Sequence, residues 1–337
     1  MKKTKILIIK LGYSETLDSE IGRVPSLGDV LRTTPILGAL KEKYPDSHMT
    51  WLVANEAAPI LHENPLLDRV LIWDDFVPLQ LMKERFDVLI NLEKISGVCA
   101  LSDMIEAWVK YGFRFDSANG TYHGYERGLD FIDYIIEKKK NNRSSGFWQQ
   151  LLVEMLGVQW NEQEYLIGYS PKTLEIHDIG LNHTVGSKWP SKVMPMHNWK
   201  ELGEKLTNLG YTVSWQQGLK DLYEYMDWIN SCRLIISNDS LGLHMAFAFK
   251  KKVIGLFGPT DPKEIFFYDK GESIVITKAE CPYIPCYTQT CKNNMECMNG
   301  ISIDKIIKLS EKKLAKSTND TLRKLSEETL VKSPGLI

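Results

Sequence analysis

Short apolar runs alternate with helix-length segments along this chain, and they do so in two separate series. In the first, residues 5–11 (KILIIKL), 49–54 (MTWLVA), 69–74 (RVLIWD) and 86–92 (FDVLINL) are strand-length and apolar on both faces. A strand of that kind needs helices above and below its sheet, which parallel α/β units supply. Between the first two runs, Val30, Leu31, Pro35, Leu37 and Leu40 recur at near-helical spacing, and Tyr44-Pro45 ends the element. The second series has strands at residues 175–182, 211–217, 233–238 and 253–258, with helices at 197–210, 221–232 and 241–250. Gly210 closes its helix at the position where a left-handed residue is wanted. Residues 100–165, rich in aromatics, read as helical.

Two such series predict two Rossmann-like α/β domains whose parallel sheets face a central cleft. The expected division is 1–170 for the first domain and 171–308 for the second, followed by a polar tail over 309–337 that is helical or disordered. Ligands of such sheets sit beyond the carboxyl ends of the strands.

Composition limits what partners to expect. At 337 residues, 43% apolar and 25% charged, the chain has material for two cores. A formal net charge of -2 argues against duplex nucleic acid as a partner. The sequence carries no apolar run of the roughly 18 residues a bilayer span requires. The apolar stretch near the N-terminus passes at once into Gly and charge, so it reads as a first strand rather than a leader. The expected location is cytoplasmic.

The chemistry concentrates where strands end. Residues 237–262, SNDSLGLHMAFAFKKKVIGLFGPTDP, place Asp239 and Ser240 at the end of one strand and the start of a helix, with His244 one turn on. Backbone N–H groups and the positive end of the helix dipole are available there to an anion. The next strand ends on Gly258-Pro259-Thr260, which offers close backbone approach and a hydroxyl. Each residue alone also reads as a cap or turn residue; the conjunction reads as a diphosphate site. Gly186-Ser187-Lys188-Trp189 follows the strand at 175–182, and Lys188 suits a phosphate as a point charge. In the first half, Gly28-Asp29 opens a helix. Asp29 either caps that helix or takes a proton from a hydroxyl nucleophile in the cleft.

These stretches, with SLGDVLRTTPILGALKEKYPDSHMTWLV (26–53) and GSKWPSKVMPMHNWKELGEKL (186–206), resemble glycosyltransferase family 9, the ADP-heptose:lipopolysaccharide heptosyltransferases. The resemblance covers most of residues 5–306 in order. It implies a GT-B fold in which 1–170 binds the acceptor and 171–308 the nucleotide sugar, and an inverting transfer of a heptose from ADP-heptose, or a related nucleotide sugar, to a lipopolysaccharide core or other surface glycan. It implies no cofactor for the transfer, an acceptor that is lipid-linked or a glycan at the cytoplasmic membrane face, and peripheral contact of the protein with the inner membrane. By resemblance Asp29 is the general base and Lys188 contacts the donor phosphates. Gly28, Asp239, Ser240, Gly242, His244, Gly258, Pro259 and Thr260 line the donor site. Asp221 falls near a family glutamate that holds the nucleoside. Two departures stand out: about ten extra residues (13–22) before Gly28-Asp29, and Leu241 where the family often has Gly. Alternatives are a protein heptosyltransferase with a cysteine-bound metal and a non-catalytic nucleotide-binding module.

Cys281, Cys286, Cys291 and Cys297 are spaced C-x4-C-x4-C-x5-C. Four thiolates in one loop read as a structural zinc or iron site, or as reduced thiols. Some members of the family carry a similar run of cysteines. The basic run Lys138-Lys139-Lys140 with Arg143 reads as a solvated helix end or as a contact for an anionic acceptor.

Overall fold

The computed structural model describes residues 3–13, 24–134, 146–218, 221–277, 280–291, 293–294 and 296–315. The basic run at 138–143, the inserted residues 14–23 and most of the expected tail lie outside the described residues.

The first half builds a six-stranded sheet in the order β3-β2-β1-β4-β5-β6. Its strands are β1 (Thr4–Ile9), β2 (Ser47–Val53), β3 (Arg69–Ile72), β4 (Arg85–Asn91), β5 (Glu106–Asp116) and β6 (Thr121–Gly124). All neighbours run parallel except β5 and β6, which form an antiparallel pair. The second half builds a five-stranded parallel sheet in the order β11-β10-β9-β7-β8. Those strands are β7 (His177–Asn182), β8 (Val213–Trp215), β9 (Cys232–Asn238), β10 (Lys252–Leu256) and β11 (Gly271–Ile274). The α/β class and the GT-B arrangement of two sheets are as expected, with the β5–β6 pair the one departure from parallel strands among the described residues.

Each sheet reverses its order once beside its first strand, β1 against β4 and β7 against β9. Such a switch point leaves a crevice at the strands' carboxyl ends, because the flanking crossovers leave in opposite directions. β1 is central, and its last four residues, Ile6, Leu7, Ile8 and Ile9, are all buried. β9 plays the same part in its sheet through Leu234, Ile235 and Ile236.

Two expectations are corrected here. Residues 106–124 are not helical but form β5 and β6. Tyr111, Phe113 and Phe115 recur at every second residue, the spacing of a strand face, and aromatics favour strands. Tyr111 and Phe113 are core residues, whereas Trp108 stands exposed. The second core also does not stop at 308. A helix over Ile303–Leu314, capped by Ser302 accepting from the Lys305 N–H, buries Ile306 and Leu314 against it.

Candidate functional site

The two crevices meet. On the first side a short helix, Leu27–Leu31, follows the loop after β1 and carries Asp29 in its first turn. On the second side the helix Leu241–Ala248 follows β9. These helices touch: a Cβ on Gly28 would lie 3.3 Å from His244 Cδ2 and 3.6 Å from Leu241 Cα. Asp29, Lys188, Asp239, Ser240 and His244 all line the one cleft between them, with Gly28, Arg32 and Lys192.

The second wall is held rigidly. Asp239 Oδ2 is 2.6 Å from Lys192 Nζ and accepts the Thr260 hydroxyl at 2.7 Å. Burial opposes ionisation of Asp239. The charge and hydrogen bond of Lys192, the nearby His244 and the Thr260 hydroxyl outweigh it, and the carboxyl drops to about 2. His244 is also buried, and that burial pushes its imidazole down to about 4 against the pull of Asp239. At neutral pH the wall therefore pairs an ionised carboxylate with a neutral imidazole.

Ser240 is the N-cap of its helix, yet its hydroxyl makes no cap bond. It accepts instead from Asn182 Nδ2 at 2.9 Å, and Asn182 is itself anchored by the Tyr225 hydroxyl at 2.7 Å. Gly242 sits over this pair. A Cβ there would come within 2.3 Å of Asn182 Nδ2 and 2.4 Å of the Tyr225 hydroxyl. Its missing side chain thus lets the helix close on Asn182 rather than opening space for a ligand.

Lys188 reaches from the loop after β7 to the first half, its Nζ 3.5 Å from the carbonyl of Gly12. That carbonyl also accepts the Ser26 N–H at 2.7 Å, just ahead of the Asp29 helix. One backbone oxygen so ties the lysine to the loop that places the carboxylate. Asp29 itself is 3.0 Å from Arg32 Nε, with about a fifth of its side chain open to solvent.

Several expected donor residues do other work. Gly258 is not part of the cleft wall: a Cβ there would lie 2.6 Å from both Cys297 Sγ and Met298 Sδ, so glycine admits the cysteine-rich loop. Pro259 accepts the Tyr287 N–H at 2.8 Å from the same loop. Thr260 acts on Asp239, one step behind the cleft. Asp221 is exposed and outside the cleft lining; its carboxylate accepts the Tyr223 N–H at 2.7 Å as a helix N-cap. The sequence reading missed Lys192, Arg32, Asn182 and Tyr165. Lys192 and Arg32 both stand inside stretches quoted for the resemblance, so these two had a local signal.

Cys281 and Cys297 are buried, and Cys286 and Cys291 half-buried. Burial first, then the three neighbouring cysteines, push the Cys297 thiol up to about 11, so the four lie near one another. Among the described residues, however, no three His, Cys, Asp or Glu side chains are placed to hold a metal ion. The thiols as placed do not fit a ligand set. No described helix is long and apolar enough to cross a membrane.

The model of glycosyltransferase family 9 (heptosyltransferase) matches residues 217–296. The lipopolysaccharide core heptosyltransferase OpsX of Haemophilus influenzae is 24% identical over 294 residues, 75% of this chain and 82% of that protein. A family 9 glycosyltransferase structure from Veillonella parvula superposes with a TM-score of 0.64 at 19% identity, covering 93% of this chain and 98% of that one. The Escherichia coli heptosyltransferase WaaC with ADP gives a TM-score of 0.59 at 16% identity, covering 92% and 97%.

Proposed function

We propose, for a chain that belongs to glycosyltransferase family 9 and is a glycosyltransferase, that it moves a heptose from a nucleotide diphosphate sugar to a hydroxyl of a lipopolysaccharide core or other surface glycan, with inversion. The donor proposed is ADP-heptose. One observation carries this reading: a carboxylate from the first half and a lysine, a helix start and an imidazole from the second line a single cleft. That is the set a one-step displacement needs.

In the proposed reaction Asp29 accepts the proton of the acceptor hydroxyl. The freed oxygen attacks the anomeric carbon from the face opposite the nucleotide, and the bond to the diphosphate oxygen breaks. Charge then grows on the leaving diphosphate. Lys188 offsets it as a point charge, and the start of the Leu241 helix adds its dipole. Asp239 is too firmly held by Lys192 and Thr260 to serve as a second base; its part is to fix Lys192 beside the diphosphate. Arg32 pairs with Asp29 and keeps it aimed until the acceptor arrives. Gly258 and Pro259 act from behind by docking the cysteine-rich loop, and Thr260 by holding Asp239. No step runs through a metal.

The test is product formation from ADP-heptose by wild type and by Asp29→Asn. The amide keeps the shape of the carboxylate and removes its basicity. Loss of transfer with donor binding retained supports the assignment, and undiminished transfer removes Asp29 from the mechanism.

A further inference from the structure

His244 lines the cleft, but only one of its nitrogens has a partner there. Its Nδ1 is 2.9 Å from the hydroxyl of Tyr165, and no described group pairs with Nε2. Tyr165 belongs to neither wall. It sits in the segment that joins the halves, and that segment is fastened on both sides. Leu166 N–H donates to Thr34 Oγ1 at 2.9 Å and Asn64 Nδ2 donates to the Leu166 carbonyl at 3.2 Å, both in the first half. The Tyr268 hydroxyl of the second half donates to the Gln163 carbonyl at 2.8 Å.

The hydrogens in this network can be counted. Gln149 Nε2 donates to the Tyr165 oxygen at 3.0 Å. A buried phenol still has one hydrogen to give, and an unmet one would carry a desolvation cost. For Tyr165 the acceptor within reach is His244 Nδ1. A neutral imidazole whose Nδ1 accepts carries its proton on Nε2.

We infer that Tyr165, supported by Gln149, is a positioning residue that fixes His244 as the Nε2–H tautomer, so that the imidazole presents an N–H to an oxygen of the bound nucleotide donor. This rests on the donor-site reading above. It also links that site to the joint between the halves, since the hydroxyl that sets the tautomer is carried on the connecting segment. The tautomer holds because the ring is kept neutral by burial among groups from every side: Asp239 from β9, Lys192 from the loop after β7, Asp29 and Arg32 from the opposing helix, and Tyr165 itself.

The test is two-bond 15N–1H correlation of the imidazoles in the full chain, with His244 identified by the signal lost in His244→Gln. The wild-type protein is expected to show His244 with its proton on Nε2, unchanged from pH 8 to pH 5.5. Tyr165→Phe keeps the ring, which lies near-parallel to Phe247 with centroids 6.2 Å apart. It should lose the tautomer preference and bind ADP about threefold to tenfold more weakly. An Nδ1–H tautomer in wild type, or an unchanged tautomer in Tyr165→Phe, overturns the proposal; the first needs no variant to fold. Failure of wild type to bind ADP at all, with the tautomer as stated, overturns the donor-site reading instead and leaves the hydrogen-bond assignment standing.

Discussion

The two walls of the cleft are built to different standards of rigidity. The wall from the second half is held by two hydrogen-bonded groups, Asp239 with Lys192 and Thr260 and Asn182 with Ser240 and Tyr225, mostly out of water. The wall from the first half offers Asp29 on a five-residue helix, partly exposed and paired with Arg32 at that helix's C-cap. A wall that stabilises charge on a leaving group gains by being fixed in advance, because reorientation at the moment of reaction would reduce its effect. A wall that must admit an acceptor and take its proton needs access. The difference in construction follows the proposed division of labour.

The sharpest way to break that comparison is to remove each wall's central group. Asp29→Ala should lower turnover by roughly 10²–10⁴, the contribution of a placed proton acceptor. Lys188→Ala should lower it by about 10²–10³ and weaken donor binding as well. Steady-state kinetics at varied donor concentration separate the two, since the first is expected in kcat alone and the second in both constants.

A second pair of changes probes rigidity rather than chemistry. Asp239→Asn leaves Lys192 as a largely buried charge without its counter-ion, and should cost on the order of 3 kcal/mol in denaturant unfolding. Asp221→Ala removes only a helix cap and should cost about 1 kcal/mol, with ADP affinity untouched. A large loss of ADP affinity in Asp221→Ala would return that residue to the donor site.

The smallest expected effect is one of pH. The folded His244 titrates near 4, against about 6.5 when unfolded. Between those values the unfolded chain binds a proton that the folded chain does not, so stability falls as pH drops from about 6.5 to about 4. Asp239, near 2 when folded, adds its own loss only below about pH 4. Melting temperatures from pH 7 to 4.5 should therefore fall less steeply in His244→Gln than in wild type.

The sheets were legible because buried parallel strands leave unbroken apolar runs, and Ile6 to Ile9 or Leu234 to Ile236 could hardly be anything else. β5 was missed because its aromatics were weighed as composition; the alternation of Tyr111, Phe113 and Phe115 was there to be counted. In the site, Asp29, Lys188, Asp239, Ser240 and His244 could be named because each follows a recognisable strand end. Gly242 and Gly258 were given to a ligand, since sequence does not say what approaches a glycine, and here the neighbours are Asn182 and Cys297. Tyr165 has no local signature whatever. Its meaning lies in a contact with His244, 79 residues away, that only the folded chain creates.

The most direct measurement is calorimetric titration of ADP into wild type, Asp29→Ala and Lys188→Ala. Wild type and Asp29→Ala should bind within about twofold of one another, while Lys188→Ala binds at least tenfold more weakly. Equal losses in the two variants, or a loss in Asp29→Ala alone, would contradict a cleft whose second wall holds the nucleotide and whose first wall takes the proton.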